Sequence, residues 1–173
     1  MVLALGIAAG QGHAAVIDCL LAAGALVDSR NSHGVTALVI GSQEGKLEAV
    51  RSLIRGGTDV NLVCVNSNGD STTALMQASQ FNHPSVVEAL LEAGADANFA
   101  SPEDGGTALM VACTFGSEAC VRALLAGGAD PRMVGHGEFV GHTALSVAKL
   151  ENHPVIAALL EAKLRELSAG GSV

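Results

Sequence analysis

The chain has 173 residues, of which 49% are hydrophobic and only 2% aromatic, with no Trp or Tyr. It is long enough for one domain with a substantial core, and that core has to be built from Ala, Leu, Val and Ile, which suits closely packed helices. A net charge of −8 with nine scattered Lys and Arg residues excludes nucleic acid and anionic membrane surfaces as partners, because both need basic clusters.

The N-terminal stretch raises the hypothesis of a dinucleotide-binding enzyme. The segment "GIAAGQGHAAVIDCLLAAGALVD" starts at Gly6, and its residues 10–15 fit the pattern G-x-G-x-x-A. Asp28 follows at about the distance of the acid that binds a ribose in such sites. The alternative is that these glycines have a structural purpose, and the rest of the chain decides between the two.

The tripeptide TAL then recurs along the chain. It occurs at Thr36, Thr73, Thr107 and Thr143, at spacings of 37, 34 and 36 residues. Leu3-Ala4-Leu5 stands 33 residues before Thr36 and differs only in its first residue. Self-similarity at this period is typical of solenoids. We count positions within each unit from zero at Leu3 and at the four threonines.

Two positions of the unit hold residues that end helices. Position 9 carries only Gly or Asn, and position 21 carries Gly in the first four units; both residue types readily adopt the left-handed conformation. They are Gly12, Gly45, Asn82, Gly116 and Asn152 at position 9, and Gly24, Gly57, Gly94 and Gly128 at position 21. Apolar pairs four residues apart, such as Val86-Val87 and Leu90-Leu91, form one buried helical face between them. Each unit is therefore predicted to contain a short helix, a tight turn, a longer helix and an extended polar link.

The segments "TALMQASQFNHPSVVEALLEAGADANF" and "TALMVACTFGSEACVRALLAGGADPR" resemble ankyrin repeats, and the resemblance covers Leu3 to about Leu164. It implies an all-α, ankyrin-type solenoid of about five helix-turn-helix repeats joined by hairpin loops. The repeats fall at about residues 1–33, 34–70, 71–104, 105–140 and 141–167, with a flexible tail at 168–173. The chain departs from the family's T-P-L-H opening: the residues that replace His are Val39, Met76, Met110 and Ser146.

The repeat removes the dinucleotide hypothesis. Gly12 stands at position 9, where Gly45 and Gly116 also end helices, whereas Gly10 is not repeated. A phosphate-binding loop needs both glycines together after a strand. We therefore predict no cofactor.

The chain offers few groups for other chemistry. His136, Glu138 and His142 are close in sequence, but three ligands on one loop lack the usual fourth ligand, so we predict a solvated loop and no metal site. The cysteines show no C-x-x-C pair and are predicted to be small core residues in a reducing compartment: Cys19, Cys64, Cys113 and Cys120. Because no convergent catalytic set is present, the protein is predicted not to be an enzyme.

The fifth unit ends differently from the others. Leu164 occupies position 21, where the other units carry glycine, and Ile156, Leu160 and Leu167 keep helical spacing around it. The pair Val155-Ile156 falls one residue early against the other units. We predict a longer closing helix that covers unit four and has the polar outer face that terminal units of solenoids need.

The resemblance implies a non-catalytic protein–protein interaction module whose first helices and hairpin loops line a concave groove. Phe81 and Phe115 share position 8, which faces the groove in this family, and exposed aromatic residues are typical interface anchors. The alternative for each ring is that it covers a neighbouring helix. The predicted partner-binding residues are Gln43, Glu44, Gln80, Phe81, Thr114, Phe115, Phe139 and Glu151. The acidic members favour a protein partner with basic and apolar residues, and the protein is predicted to be monomeric and intracellular.

Two other functions fit the same sequence. The chain is alternatively a regulatory or structural segment of a larger polypeptide, and an apolar surface left bare at the Met1 end would indicate this. It is alternatively a substrate of asparaginyl hydroxylation. Asn61 and Asn98 match the hairpin asparagine that is modified in some ankyrin repeats, with Leu53 and Leu90 eight residues earlier.

Overall fold

A computed structural model describes residues 2–65, 69 and 71–169. Within these residues the chain forms ten α-helices. They are α1 (Val2–Gln11), α2 (Ala14–Ala22), α3 (Ala37–Gln43), α4 (Leu47–Arg55), α5 (Ala74–Gln80), α6 (Pro84–Glu92), α7 (Ala108–Thr114), α8 (Glu118–Ala126), α9 (Ala144–Leu150) and α10 (Pro154–Ala169). The all-α solenoid predicted from the repeat is confirmed.

The helices form five consecutive pairs that stack in two layers. The first helix of each pair packs on the first helix of the next pair, from α1 through α3, α5 and α7 to α9. The second helices stack in the same way from α2 through α4 and α6 to α8. One continuous apolar core runs between the layers through all five units. No helix of the described chain combines the length and the apolar character needed to cross a bilayer.

Threonine at position 0 starts the first helix of units two to five. Each Thr has an extended backbone, and its Oγ accepts a hydrogen bond from the backbone N–H of position 3. In the fifth unit the Ser146 hydroxyl also accepts a hydrogen bond from the backbone N–H of Thr143, which completes a capping box. This bond is local to one unit, so the residues that replace the family's His leave the helix start intact.

Positions 9 and 21 end the helices as predicted. All five residues at position 9 and all four glycines at position 21 have positive φ values, between 57° and 92°. Asn82 and Asn152 are the non-glycine members, with φ of 57° in both cases. Asn tolerates this left-handed conformation better than other side chains do.

The links between the units are hairpins. After α4, β1 (Cys64–Val65) pairs antiparallel with β2 (Ser71–Thr72), in the register Cys64 to Thr72 and Val65 to Ser71. After α6, Ala100 and Thr107 form an isolated antiparallel bridge. A short 3-10 helix (Gly137–Phe139) occupies the longer link before α9.

The two end units correct two details of the sequence-based prediction. The first helix of unit one is not short: α1 has ten residues, against seven for each later first helix. The greater length of α1 is explained by the replacement of the capping Thr by Leu3, because leucine is accommodated inside a helix whereas threonine at this position starts one. In the fifth unit the buried pair is Ile156 and Ala157, in register with the other units, while Val155 is exposed. The apparent shift arose from counting Val155 as a core residue.

The longer closing helix is confirmed. Helix α10 has sixteen residues and continues through Leu164, where the other units have their glycine. It also includes Ser168 and Ala169, which were predicted to belong to a flexible tail, and residues 170–173 lie outside the described part of the chain. Glu161 accepts a salt bridge from Lys149 of α9 at 2.8 Å, and this hydrogen bond lowers the pKa of the Glu161 carboxyl.

Histidines at position 10 pack against the turn of the preceding unit. The His83 ring bonds through Nε2 to the backbone carbonyl of Gln43 at 2.9 Å and lies against Gly45. A Cβ atom added at Gly45 would stand 2.4 Å from the His83 Nδ1 atom. His153 occupies the same place against Gly116. Position 9 therefore needs glycine in these units for space as well as for its backbone conformation.

This packing predicts different costs for two glycine substitutions. Gly57→Ala places a Cβ in open space at positive φ, so it should lower the free energy of unfolding by about 1–2 kcal/mol through backbone strain alone. Gly45→Ala adds the contact with His83 and should cost about 1–3 kcal/mol more. Urea unfolding followed by circular dichroism measures both. In the His83→Ala background the extra cost should disappear, and an unchanged difference would contradict the role given to the histidine.

Candidate protein-binding groove

The first helices and the hairpins line one side of the stack, and this surface contains two depressions. The first has a volume of about 740 Å³ and lies between α1, α3 and the link after α2. Its lining includes Ile7, Gly10, Gln11, Arg30, Ile40 and Glu44. The second has a volume of about 320 Å³ and lies between α5, α7 and the two hairpins beside them. Gln80 at position 7 lines it, as Gly10 at the same position lines the first.

Phe81 and Phe115 occupy equivalent places at the ends of α5 and α7. Each is the residue after the last helical residue, and its backbone N–H still bonds into its own helix. Both residues are about half exposed, at 47% and 56%. Position 8 faces the groove in units one and two, where Gln11 and Glu44 line the first depression. The two rings are therefore free to contact a partner.

The other two phenylalanines are turned toward the core. Phe99 and Phe139 are half-buried and pack against the apolar core cluster. The Phe139 ring lies against the backbone at Gly106, where an added Cβ would be 3.1 Å from its Cε2 atom. Phe139, which was predicted from the sequence to contact a partner, is thus half-buried at the edge of the core.

The polar residues at positions 7 and 8 that were predicted to bind a partner, which we call the polar rim, are only partly free of other contacts. Glu44 and Glu151 are exposed, and neither forms an ion pair with another described residue. Gln43 donates from its amide to the Glu44 carboxylate at 3.3 Å, and Gln80 is half-buried. The Thr114 hydroxyl already donates to the backbone carbonyl of Met110 at 3.1 Å. Among these five residues the unpaired charges are negative, while the positive charge of Arg30 also lies in the first depression.

Apolar residues in the groove were missed by sequence analysis. Ile7 and Ile40 form the apolar part of the first depression, and Gly6 and Gly10 leave room for Ile40, whose side chain would be 3.1–3.2 Å from a Cβ added at either glycine. Leu150 is exposed at position 7, which is polar in units two to four. This exposed leucine was visible in the sequence as an apolar residue in a polar column.

Hydrogen bonds fix the hairpins beside the groove to one another. Arg30 donates to the backbone carbonyl of Val63 in the next hairpin at 2.8 Å. Glu103 accepts bonds from the hydroxyls of Ser71 at 2.8 Å and Ser101 at 2.9 Å. The bond from Ser71 is the larger cause of a lowered pKa for the Glu103 carboxyl. The hairpins beside the groove are thus joined to one another in the absence of a partner.

A second set of hydrogen bonds joins the turns after the second helices. Asn61 donates from its amide to the carbonyl of Gly94 at 3.1 Å and accepts from the backbone N–H of Asp96 at 2.7 Å. Asn98 makes the equivalent bonds to Gly128 and Asp130, at 3.2 and 2.7 Å. Both asparagines considered for hydroxylation therefore use their side-chain amides to bridge neighbouring units.

The cysteines differ in their surroundings. Burial raises the pKa of the Cys113 thiol to about 12 and that of Cys120 to about 11. Cys64 is also buried, as predicted for a small core residue. Cys19 is exposed, so its assignment to the core was wrong. Its position is buried in the middle units, but unit one has no described unit before it.

His136 and His142, in the link before α9, contact different neighbours. His142 bonds through Nδ1 to the Ser146 hydroxyl at 3.2 Å, and His136 lies against Gly105. Among the described side chains, no three His, Cys, Asp or Glu residues come together as ligands. The side chain of Glu138, the third residue of the motif, lies outside the described part.

Comparison with known families identifies the fold. Residues 75–168 match the family of ankyrin repeats in three copies, and residues 36–91 match that of ankyrin repeats in many copies. The first match covers more than half of the chain. The chain belongs to the ankyrin repeat family. Ankyrin repeats are generally protein–protein interaction modules.

Individual relatives share the repeats but are much longer. The chain is 40% identical over 100 residues to ankyrin repeat and SOCS box protein 3 from Bos taurus, covering 58% of this chain and 19% of that protein. It is 38% identical over 92 residues to human ankyrin repeat and KH domain-containing protein 1, covering 53% and 4%. Human ankyrin repeat domain-containing protein 29 is 41% identical over 56 residues, covering 32% and 19%. The chain thus spans less than a fifth of each of these relatives.

The exposure of the two groove phenylalanines predicts a small effect on stability. Phe81→Ala and Phe115→Ala should each lower the free energy of unfolding by less than about 2 kcal/mol, since neither ring fills the core. Leu109→Ala, at a fully buried position of α7, should cost about 2–5 kcal/mol and is the control. Urea titration measures all three. A cost for either phenylalanine that equals the cost at Leu109 would place that ring in the core.

Proposed function

We propose that this ankyrin repeat protein is a non-catalytic scaffold that binds a protein partner along its groove, with Phe81 and Phe115 as the anchors. The main support for this proposal is the exposure of these two rings at the same position of neighbouring units. The other two phenylalanines pack against the core, so the chain is able to bury such rings. Interfaces typically use a few aromatic anchors of this kind within a larger contact surface.

The acidic residues at position 8 support a partner segment that combines basic and apolar residues. Glu44 and Glu151 are exposed at position 8, in the units on either side of the two phenylalanines. Several of the chain's arginines are instead paired on the second helices, for example Arg51 with Glu48 and Arg122 with Glu118. Lys or Arg side chains of a partner would therefore meet negative charge along the rim while its apolar side chains contact the rings.

The surroundings of the cysteines support an intracellular location. All four are free, and three of them are buried as small core residues. Free buried thiols persist in a reducing compartment, whereas secreted proteins generally use their cysteines in disulfides.

Peptide selection on the full chain tests the groove. A random peptide library displayed on phage should yield sequences enriched in Lys or Arg next to aliphatic or aromatic residues. The affinity of a selected synthetic peptide should fall by about tenfold or more in the double variant Phe81→Ala/Phe115→Ala. It should also weaken with added salt, because the rim contacts are exposed charges.

Val155→Ala is the control for this experiment, since Val155 is a comparably exposed apolar residue on α10, away from the first helices. It should leave peptide affinity unchanged. Peptides that bind the double variant as tightly as the original chain would show that the phenylalanines are not the anchors. Circular dichroism of each variant confirms that the fold is retained.

A second candidate is a regulatory or structural role within a larger polypeptide, masking or positioning another domain. One observation favours it: α1 and α2 leave apolar side chains bare on the face turned away from unit two, among them Leu3 and Val16. The relatives named above are also several times longer than the matched segments.

Asparaginyl hydroxylation remains a proposal as well, and mass spectrometry decides it. Asn61 and Asn98 are exposed at the same repeat position, so an enzyme that modifies one of them should also modify the other. Their bridges to the next unit must open first, so modification should stay partial. Peptides from native material should carry one added oxygen atom at either asparagine and none at Asn82, the control. Unmodified peptides at both positions would remove this candidate.

A further inference from the structure

The second depression of the groove lies between units three and four, so neither end of the chain takes part in forming it. Helices α5 and α7 contribute an apolar part, formed by Met76 and Val111. The hairpins on either side contribute polar residues, which are Ser71, Thr72, Ser101, Asp104 and Gly106. The volume of about 320 Å³ is near the lower limit for ligand pockets. It therefore suits one long side chain.

Asp104 places a fixed carboxylate in this depression. Its Oδ1 atom accepts a hydrogen bond from the backbone N–H of Gly106 at 2.9 Å. Its backbone carbonyl accepts another from the N–H of His136 in the following link, at 3.0 Å. Gly105 closes the turn with a bond from its N–H to the Ser101 carbonyl at 2.8 Å. The Oδ2 atom of Asp104 forms no hydrogen bond with a described residue, so it is available to a ligand.

A second carboxylate stands at the edge of the depression. Ser71 and Ser101, which both line it, donate their hydroxyls to Glu103 at 2.8 and 2.9 Å. These bonds lower the pKa of the Glu103 carboxyl, so the group is ionised well below neutral pH. Gln80 adds a side-chain amide from α5. The depression thus has several acceptor oxygens above an apolar surface.

The part of the chain around the second depression has no Lys or Arg of its own. None occurs between Arg55 and Arg122, a stretch that contains both hairpins and both first helices beside the depression. The first depression differs in this respect, because Arg30 lines it together with Glu44. The second depression is therefore the one in which carboxylates occur without a basic side chain, and its charge complements a cation.

Arginine is the side chain that matches these groups. Its planar guanidinium has five N–H donors and no acceptor, and it pairs with a carboxylate through two parallel hydrogen bonds. Its methylene groups suit the apolar surface of Met76 and Val111. A guanidinium also stacks on aromatic rings, and Phe81 directly follows Gln80 at the end of α5. Lysine has a compact and strongly hydrated charge, which fits such a planar set of acceptors less well.

We propose that the second depression binds one arginine side chain of the partner, with Asp104 as the main acceptor and Glu103 at the edge. The inference rests on the proposed function, in which Phe81 and Phe115 hold a segment of a protein partner. It adds a residue that this segment has to contain. The acidic residues at position 8 attract any cation to the rim, whereas the fixed Asp104 carboxylate selects arginine.

A small-molecule probe tests the pocket without the partner. N-acetyl-arginine N-methylamide is titrated into the isotope-labelled full chain at millimolar concentrations, and heteronuclear NMR records the backbone amide shifts. The shifts should be concentrated at Gln80, Asp104 and Gly106. The same derivative of citrulline, which has the shape of arginine without its charge, should bind several-fold more weakly. The lysine derivative should also bind several-fold more weakly.

The informative variant is Asp104→Asn, which keeps an acceptor for the Gly106 N–H and removes the charge. It should weaken binding of the arginine derivative by about tenfold and remove its preference over citrulline. Asp96→Asn is the matched control. Asp96 also accepts the backbone N–H two residues later, from Asn98 at 2.8 Å, but it lies in the turn after α6 and outside the depression. It should leave binding unchanged, and circular dichroism confirms that both variants fold.

A peptide selected on the groove separates this inference from the proposed function. Replacing its arginine by citrulline should lower the affinity for the original chain by about tenfold and have little further effect in Asp104→Asn. Peptides that require Phe81 and Phe115 but bind Asp104→Asn unchanged would overturn the arginine pocket and leave the proposed function intact. An arginine derivative that binds at Asp104, with peptides indifferent to both phenylalanines, would support the pocket and contradict the proposed anchors.

Three results of the probe titration would also overturn the proposal. The first is an equal response to the citrulline or lysine derivative, which would show that the guanidinium is not recognised. The second is a set of shifts that persists in Asp104→Asn. The third is the absence of shifts at Gln80, Asp104 and Gly106 while other acidic positions respond, which would place arginine on the general negative surface of the chain.

Discussion

Close stacking of one helix pair on the next is the interaction on which the whole structure depends. A single ankyrin unit cannot bury both of its apolar faces, so each face is covered by a neighbour. Small side chains make the approach possible: a Cβ added at Gly41 would already touch Val50 at 3.4 Å and Ala9 at 3.7 Å. Because each unit is positioned by the one before it, a larger residue at such a position would displace every later unit. This constraint accounts for a core rich in Ala, Leu and Val in a chain with four phenylalanines.

Polar contacts between the turns then set the position of each unit on the next. Asp28, Asn61 and Asn98 stand at the same repeat position, and each accepts hydrogen bonds from the turn of the following unit. The fourth residue at this position is Arg132, which pairs with Asp130 of its own unit instead. The fifth unit explains the change, since α10 runs on through the place where a turn would offer partners. A surface fixed in this way loses little conformational entropy when a partner binds, which favours a groove built from it.

Features that recur in several units were predictable from the sequence, and most features that occur once were not; the longer closing helix α10 is the exception. The turns at Gly45 and Asn82 follow from a position that holds only Gly or Asn, and the exposure of Phe81 follows from its place in the unit. The length of α1, the exposure of Cys19 and the ring contacts of Phe139 depend on what lies beside them in space. Gly10 is the clearest case. Position 7 is not glycine in any other unit, so the repeat did not explain this residue. The structure does, because the Ile40 side chain of the next unit packs against it.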